Sequence, residues 1–222
     1  MPASMNFIGF PDSFFKPTCG YVNKRGKLSV RVDWMKYSDS GIQFLIMAGG
    51  KGTRFGDQEK CMQKINGKSI LENLIDSLMA LSHFITVSTT ARHTKTIEFC
   101  RSRHIPTIIT EGKDYTDDLW HSIVRINRIP IIVMGSDTYI TDLARFRSVI
   151  SSPNNPAIPI VDILQNNTFS GISVFNRIPE KGETLEYHEL NSEKNFSLNI
   201  NTQEDLNRLK LILSQETPGH FP

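Results

Sequence analysis

The chain has 222 residues, 39% of them hydrophobic, which is enough apolar material for the core of one domain with an appendage or of two small domains. Its formal charge of +2, with acids and bases interspersed, gives no electrostatic footprint for nucleic acid, and no window approaches the roughly eighteen continuous apolar residues of a membrane span. The cysteines, Cys19, Cys61 and Cys100, lie far apart with no CxxC pair and no histidine at ligand spacing, so neither a disulfide framework nor a structural zinc is implied.

The opening "MPASMNFIGFPDSFFKPTCG" lacks the basic start and unbroken apolar run of a signal peptide. A cytoplasmic protein with reduced thiols is therefore expected. Residues 1–40 are turn-rich, with Pro2, Pro11 and Pro17 and one strand-like alternation from Lys27 to Trp34. They are read as an N-terminal extension: a disordered arm, a contact in a homodimer, or a gene-start artefact. The main domain is expected over residues 41–215, with 216–222 as a tail.

From Ile42 the chain alternates β-rich runs with helical patterns. The strand candidates are "IQFLIM", "HFITVST", "IPTIIT" and "PIIVMG"; the helix candidates are Ile70 to Leu81, Thr94 to Arg103, Asp117 to Arg128 and Asp142 to Ile150. Alternation of this kind predicts an α/β fold built from βαβ units on a mostly parallel central sheet. Ser69 and Glu72 stand as a capping box ahead of Ile70, Leu71, Leu74, Ile75 and Leu78, an apolar stripe that belongs to the core. Past Ile150 come a loop, "SSPNNP", the strand-like runs "AIPIVDI", "FSGISVF" and "NFSLNI", and a last helix from Gln203 to Leu213, with Thr202 and Asp205 spaced as its capping pair.

The stretch that asks for a function is "LIMAGGKGTRFGDQEK". A loop leaving the carboxyl end of the first parallel strand sits where α/β sheets bind ligands. Gly49, Gly50, Gly52 and Gly56 let backbone amides approach an anion, and Lys51, Arg54 and Lys60 add positive charge, so a polyphosphate is the natural guest. A Walker A loop fails, because the GKS at Gly67–Ser69 has Met62 where the first glycine belongs. A dinucleotide fingerprint is poorly met: counted from Gly50 and Gly52 its last glycine falls on Phe55, and the second strand ends in "TTARH" rather than on an acid. Further on, "IIVMGSDTYI" is an apolar strand that ends in Gly135, Ser136 and Asp137, delivering a carboxylate to the same sheet edge unless Asp137 only caps a turn.

"LIMAGGKGTRFG" followed by "EK" resembles the signature GGxGxRxG plus lysine of the nucleotidyltransferases related to the molybdenum-cofactor guanylyltransferases and the sugar-phosphate nucleotidyltransferases. With "EGKDYTDDL", "GSD", "FSGISVF" and "NFSLNINTQEDL", the chain looks most like the archaeal GTP:adenosylcobinamide-phosphate guanylyltransferases of cobalamin assembly, from about Ile42 to Leu213. The resemblance implies a Rossmann-like three-layer sandwich of the nucleotide-diphospho-sugar transferase type. It also implies transfer of GMP from GTP to a small phosphorylated acceptor with Mg²⁺. The loop residues Ala48, Gly49, Gly50, Lys51, Gly52 and Thr53 would wrap the nucleotide's triphosphate, with Arg54 on the leaving pyrophosphate, Lys60 on the α-phosphate and Asp137 on the metal. Gly112, Gly171, Asn199 and Asn201 match further positions of the family. Asn199 and Asn201 serve the acceptor and metal there, or are turn and cap residues here; Gly171 admits the acceptor or relieves a strand kink. The base is expected to be read around Ser88–Thr90 and Glu111–Lys113, while Trp34 and Trp120 are expected to pack and His188 to lie at the surface.

Two departures stand out. Relatives often carry proline after the lysine, where this chain has Cys61, a thiol beside the expected phosphates, and residues 1–40 have no counterpart in the family pattern. The same chemistry on molybdopterin or on a sugar or other small phosphate is an alternative. A sensor that binds nucleotide without turnover is another, although such a module has no need for Lys60 and Asp137 together.

Overall fold

The structure, a computed structural model, describes residues 41–50, 59–152 and 157–215. Its organising strand is β1 (Gln43–Met47), whose side chains alternate between two cores. Phe44 and Ile46 pack with Leu71, Leu74, Cys100 and Phe146 on one face of the sheet, and Leu45 packs with Ile123, Ile131, Val133 and Phe175 on the other. Burial on both faces is why this strand reads as a continuous apolar run.

After β1 come a 3-10 turn (Lys60–Met62) and a two-stranded ribbon, β2 (Lys64–Ile65) and β3 (Lys68–Ser69), closed by Asn66 and Gly67, both at positive φ. Asn-Gly is the pair that a two-residue hairpin turn of this hand prefers. Helix α1 (Ile70–Met79) begins at Ser69, whose hydroxyl accepts the Glu72 amide at 3.0 Å as the spacing predicts. Next are β4 (Ile85–Thr90), α2 (Thr94–Ser102), β5 (Thr107–Thr110) and α3 (Tyr115–Ile126). Helix α3 starts earlier than its apolar periodicity suggests, because the Asp114 carboxylate accepts the Asp117 amide and caps it. The chain continues through β6 (Ile131–Gly135), β7 (Thr138–Ile140) and α4 (Leu143–Ser151). It ends with β8 (Ile160–Gln165), β9 (Thr168–Phe175), β10 (Tyr187–Ser192), β11 (Ser197–Asn199) and α5 (Gln203–Gln215).

The main sheet runs in the order β10-β8-β9-β6-β1-β4-β5. Strand β9 is antiparallel to β6 and β8, and the other pairings are parallel. Helices α1, α2 and α4 supply one outer layer and α3 the other, which makes the expected three-layer sandwich with a mostly parallel sheet. Strands β4 and β6 flank β1 on opposite sides, so the connections diverge there, and the edge beyond β1 and β6 is the switch point where such sheets bind ligands. The run "NFSLNI" stays out of the main sheet. Its β11 pairs antiparallel with β7, and Ile200 N–H donates to Asp137 O at 2.9 Å, so the Asn199–Asn201 segment is carried to Asp137. No helix among the described residues is long and apolar enough to cross a membrane.

Candidate active site at the carboxyl edge of the sheet

A cavity of about 530 Å³ opens at that edge, lined by the β1 end (Ala48, Gly49, Gly50), by Lys60, by Gly112 after β5 and by Asp137 and Asn201. These are seven of the residues expected from the sequence, gathered from five separate segments. Lys51, Gly52, Thr53 and Arg54, with the rest of the glycine loop, lie outside the described residues, as do 1–40 and 216–222.

At the floor of the cavity Lys60 Nζ donates to Asp137 Oδ2 at 2.5 Å and to Asn201 Oδ1 at 3.0 Å. The lysine and aspartate side chains are only 19% and 28% exposed, so this ion pair is screened less than a surface pair. Each partner is held from a different direction. Asp137 follows the end of β6 by two residues, and a Cβ on Gly135 would push the Asp137 carboxylate out of its place. Asn201 N–H and Thr202 N–H donate to Asp205 Oδ2, and Thr202 Oγ1 accepts the Asp205 amide, which fixes the start of α5 and the approach of Asn201.

Lys60 is placed by its neighbour. Both carboxylate oxygens of Glu59 accept from the first turn of α2: Lys95 N–H at 2.8 Å, Thr96 N–H at 2.7 Å and Thr96 O–H at 2.6 Å. Helix α2 has no capping side chain of its own, since His93 at its N-cap makes no such bond, so Glu59 satisfies the open amides and its charge faces the positive end of the helix. Cys61, next in line, also borders the cavity; its thiol meets Thr96 Oγ1 at 3.4 Å and the residue is 4% exposed. Burial, with the Glu59 charge adding to it, pushes that thiol's pKa above its ordinary value against the pull of hydrogen bonds from Thr96 and Ser136.

Gly112 adopts φ +72°, and a Cβ there would come within 2.8 Å of Thr90 Cγ2. Its amide donates to Asp118 Oδ1 at 3.1 Å, and Asp118, on α3, is buried at the cavity wall. Gly171 (φ +79°) and Asn199 meet each other rather than the cavity. Asn199 Nδ2 donates to Ser170 O, Asn199 Oδ1 accepts from Thr138 Oγ1, and a Cβ on Gly171 would press on Asn199 Nδ2 at 3.0 Å. The expectation that Ser88–Thr90 reads the base is not met: all three belong to β4 and are buried. The residues that reach the cavity from this region are Arg92 and His93. Both sit in "TTARH", and the signal passed over there was a cation and an imidazole just after a strand end. Trp120 packs as expected, donating to Pro179 O at 3.1 Å.

Among the described residues no three His, Cys, Asp or Glu side chains converge on one point. Asp137 presents one hard, partly exposed carboxylate to the cavity, and this fits Mg²⁺, which commonly takes one or two carboxylates and draws its remaining ligands from substrate phosphates and water.

A switch-point cavity with a glycine-bearing strand end, a cation and a strand-end carboxylate suits the binding and transfer of phosphate groups. Residues 44–123 match the model of the MobA-like NTP transferase domain, so the resemblance drawn from the glycine loop stands and the enzyme is of the nucleotidyltransferase class. The chain is 26% identical over 194 residues to the adenosylcobinamide-phosphate guanylyltransferase of Methanocaldococcus jannaschii, covering 78% of this chain and 97% of that protein. Among solved structures it is similar to CMP:2-keto-3-deoxy-manno-octonic acid synthetase complexed with CTP, with TM-score 0.64 and 12% identity over 80% of this chain and 100% of that one. It is also similar to HddC from Yersinia pseudotuberculosis complexed with GMP-PN, with TM-score 0.62 and 17% identity over 78% of this chain and 99% of that one. These structures share the nucleotide-diphospho-sugar transferase fold.

Proposed function

We propose that the protein is a cytoplasmic guanylyltransferase that moves GMP from GTP to the phosphate of adenosylcobinamide phosphate, as a step of cobalamin assembly. The observation that carries the chemistry is the Lys60–Asp137 pair on the cavity floor, beside the end of β1. The acceptor is supported by similarity to the cobinamide guanylyltransferase over nearly all of that relative's length.

In the proposed reaction an oxygen of the acceptor phosphate attacks the α-phosphorus, the bond between that phosphorus and the bridging oxygen to the β-phosphorus breaks, and pyrophosphate departs with the electron pair. Lys60 holds the α-phosphate and offsets the charge that builds on it. The loop amides and Arg54 take the leaving pyrophosphate. Asp137 would hold Mg²⁺, which supplies charge neutralisation between nucleotide and acceptor phosphates. No side chain need remove a proton, because a phosphate monoester with a second pKa of about 6 is already ionised near neutral pH. The protein contributes position and electrostatics, as in phosphoryl transfer generally. Asn201, tied to Lys60, connects the acceptor half of the fold to the reacting centre.

The test is pyrophosphate release with Mg²⁺, the four nucleoside triphosphates being crossed with adenosylcobinamide phosphate, molybdopterin and simple phosphate monoesters. Release with GTP and cobinamide phosphate alone is the expected result. Release with a different pair would keep the chemistry and replace the acceptor, and GTP binding without release under any pairing would make the protein a nucleotide sensor.

A further inference from the structure

Three consecutive carbonyls at the end of β1 are each held by a side chain from the end of β4. Thr89 Oγ1 donates to Ala48 O at 2.9 Å, Arg92 Nη2 to Gly49 O at 3.1 Å and His93 Nε2 to Gly50 O at 3.0 Å. A carbonyl only accepts, so Nε2 of His93 carries a proton, and Nδ1 is hydrogen-bonded to the Thr90 hydroxyl, 2.8 Å away. Thr89, Thr90 and His93 are all buried, which leaves this network little freedom to rearrange.

A trans peptide is planar, and its C=O and the following N–H point in opposite directions. Holding the carbonyls of Ala48 and Gly49 toward β4 therefore turns the amides of Gly49 and Gly50 away from it. Among the described residues neither amide has a hydrogen-bond partner, and both glycines line the cavity. A Cβ on Gly50 would meet nothing within 4 Å, so open space stands over this backbone. Glycine is the residue whose backbone loses most freedom on ordering. Two adjacent glycines left to themselves would cost affinity each time a ligand fixed them, and the side chains from β4 remove that cost beforehand.

We propose that Thr89, Arg92 and His93 act as a carbonyl clamp, positioning residues that preset the Gly49 and Gly50 amides to receive the phosphate oxygens of a nucleoside triphosphate. The inference rests on the nucleotidyltransferase reading and adds to it the origin of the loop's anion affinity. Thr89 gives the cleanest handle, because its side chain is fully buried and can touch no ligand, so any effect must pass through the backbone.

The experiment measures binding of GTP and of inorganic pyrophosphate, each with Mg²⁺, by titration calorimetry on wild type, Thr89→Val, Thr89→Ser, His93→Phe and His93→Gln. Removing one donor from a clamped carbonyl is expected to weaken both ligands about tenfold in Thr89→Val and His93→Phe, whereas Thr89→Ser and His93→Gln, which keep a donor, stay within about twofold of wild type. Should Thr89→Val not fold, the His93 pair carries the same comparison. Unchanged affinity in Thr89→Val or His93→Phe, or equal losses in Thr89→Ser and Thr89→Val, would overturn the clamp while leaving the nucleotide site in place. Failure of the wild type to bind GTP would overturn the nucleotide reading and the clamp with it.

Discussion

Every residue of β4 is buried, and of the six in β10 only Ser192 is. The two strands lie in opposite halves of one sheet. The half made of β5, β4, β1 and β6 is parallel, and its central strands are covered by helices on both faces, so they bury apolar side chains and, in β4, small hydroxyl side chains. The half made of β9, β8 and β10 mixes directions. It sends Val161, Ile163, Ile172 and Val174 into the shared core and leaves Tyr187 60% and Phe169 51% exposed. The difference divides the proposed labour: the phosphate-handling groups Gly49, Gly50, Lys60 and Asp137 stand on the rigid half, and an acceptor has to be fitted by the looser one. The halves are joined by the pairing of β6 with β9, and Phe146 of α4 lies in the core they share, its ring 6.3 Å from that of Phe44 on β1 and 5.9 Å from that of Phe196, just before β11.

The sharpest test of this division is at that joint. Phe146→Ala is expected to cost about 3–5 kcal/mol of stability, because the ring is fully buried in that shared core. Tyr187→Ala on the outer half should cost no more than about 0.5 kcal/mol. Urea unfolding of the two variants measures both, and a similar loss in each would mean that the halves are packed alike after all.

Next in size is the chemistry of the rigid half. Asp137→Ala and Lys60→Ala are each expected to lower turnover by roughly 100-fold, about 3 kcal/mol in the transition state, while the variants still unfold cooperatively. Near-normal pyrophosphate release from both would remove the proposed scheme, and loss of folding would mean that the pair is a structural tie between β6 and the turn at Lys60.

The same division sets what the sequence disclosed. The apolar runs of β1 and β6, the β-branched run of β4 and the capping pairs Ser69–Glu72 and Thr202–Asp205 were legible because each depends on a short stretch of chain. So were the glycine loop and the strand-end Asp137. The β2–β3 hairpin announced itself as Asn66-Gly67, yet two strands of two residues each have no periodicity to detect. Strand β10 alternates polar residues with Leu190 and resembles a loop until β8 pairs with it. The ties from Thr89, Arg92 and His93 to the loop carbonyls join residues more than forty positions apart, and no local spacing encodes them. Asn199 shows the opposite limit. The motif was visible, but only the pairing of β11 with β7 turns its side chain onto Ser170 and Thr138 and leaves Asn201 at the cavity.

A smaller effect is expected at Glu59. Glu59→Gln keeps an oxygen acceptor but removes the charge at the start of α2, and Glu59→Ala removes the cap. Losses of about 0.5 and 1–2 kcal/mol are expected in that order. Because the same residue leads into Lys60, Glu59→Ala should also reduce turnover more than its stability loss predicts. Activity that simply follows the folded fraction would separate the cap from the site.

The smallest effects concern the thiols, and they decide whether Cys61 belongs to the chemistry. Cys61 and Cys100 are both buried and free, and burial pushes both thiols up from their ordinary pKa. An unfolded thiol ionises near pH 8.5, so the folded chain binds these protons more tightly than the unfolded one. The stabilisation this gives is fully present below the unfolded value and is lost as pH rises through it toward the folded values. The denaturation midpoint of a Cys19→Ser variant should accordingly fall above about pH 9, and more steeply than that of a variant in which Cys61 and Cys100 are also replaced by alanine. At pH 8 the native Cys19→Ser protein should be alkylated far more slowly than the unfolded chain. Rapid labelling of Cys61 in the native state would put a reactive thiolate beside the expected phosphates. Slow labelling would leave Cys61 as a packing residue between the Lys60 turn and α2, where its Thr96 contact already places it.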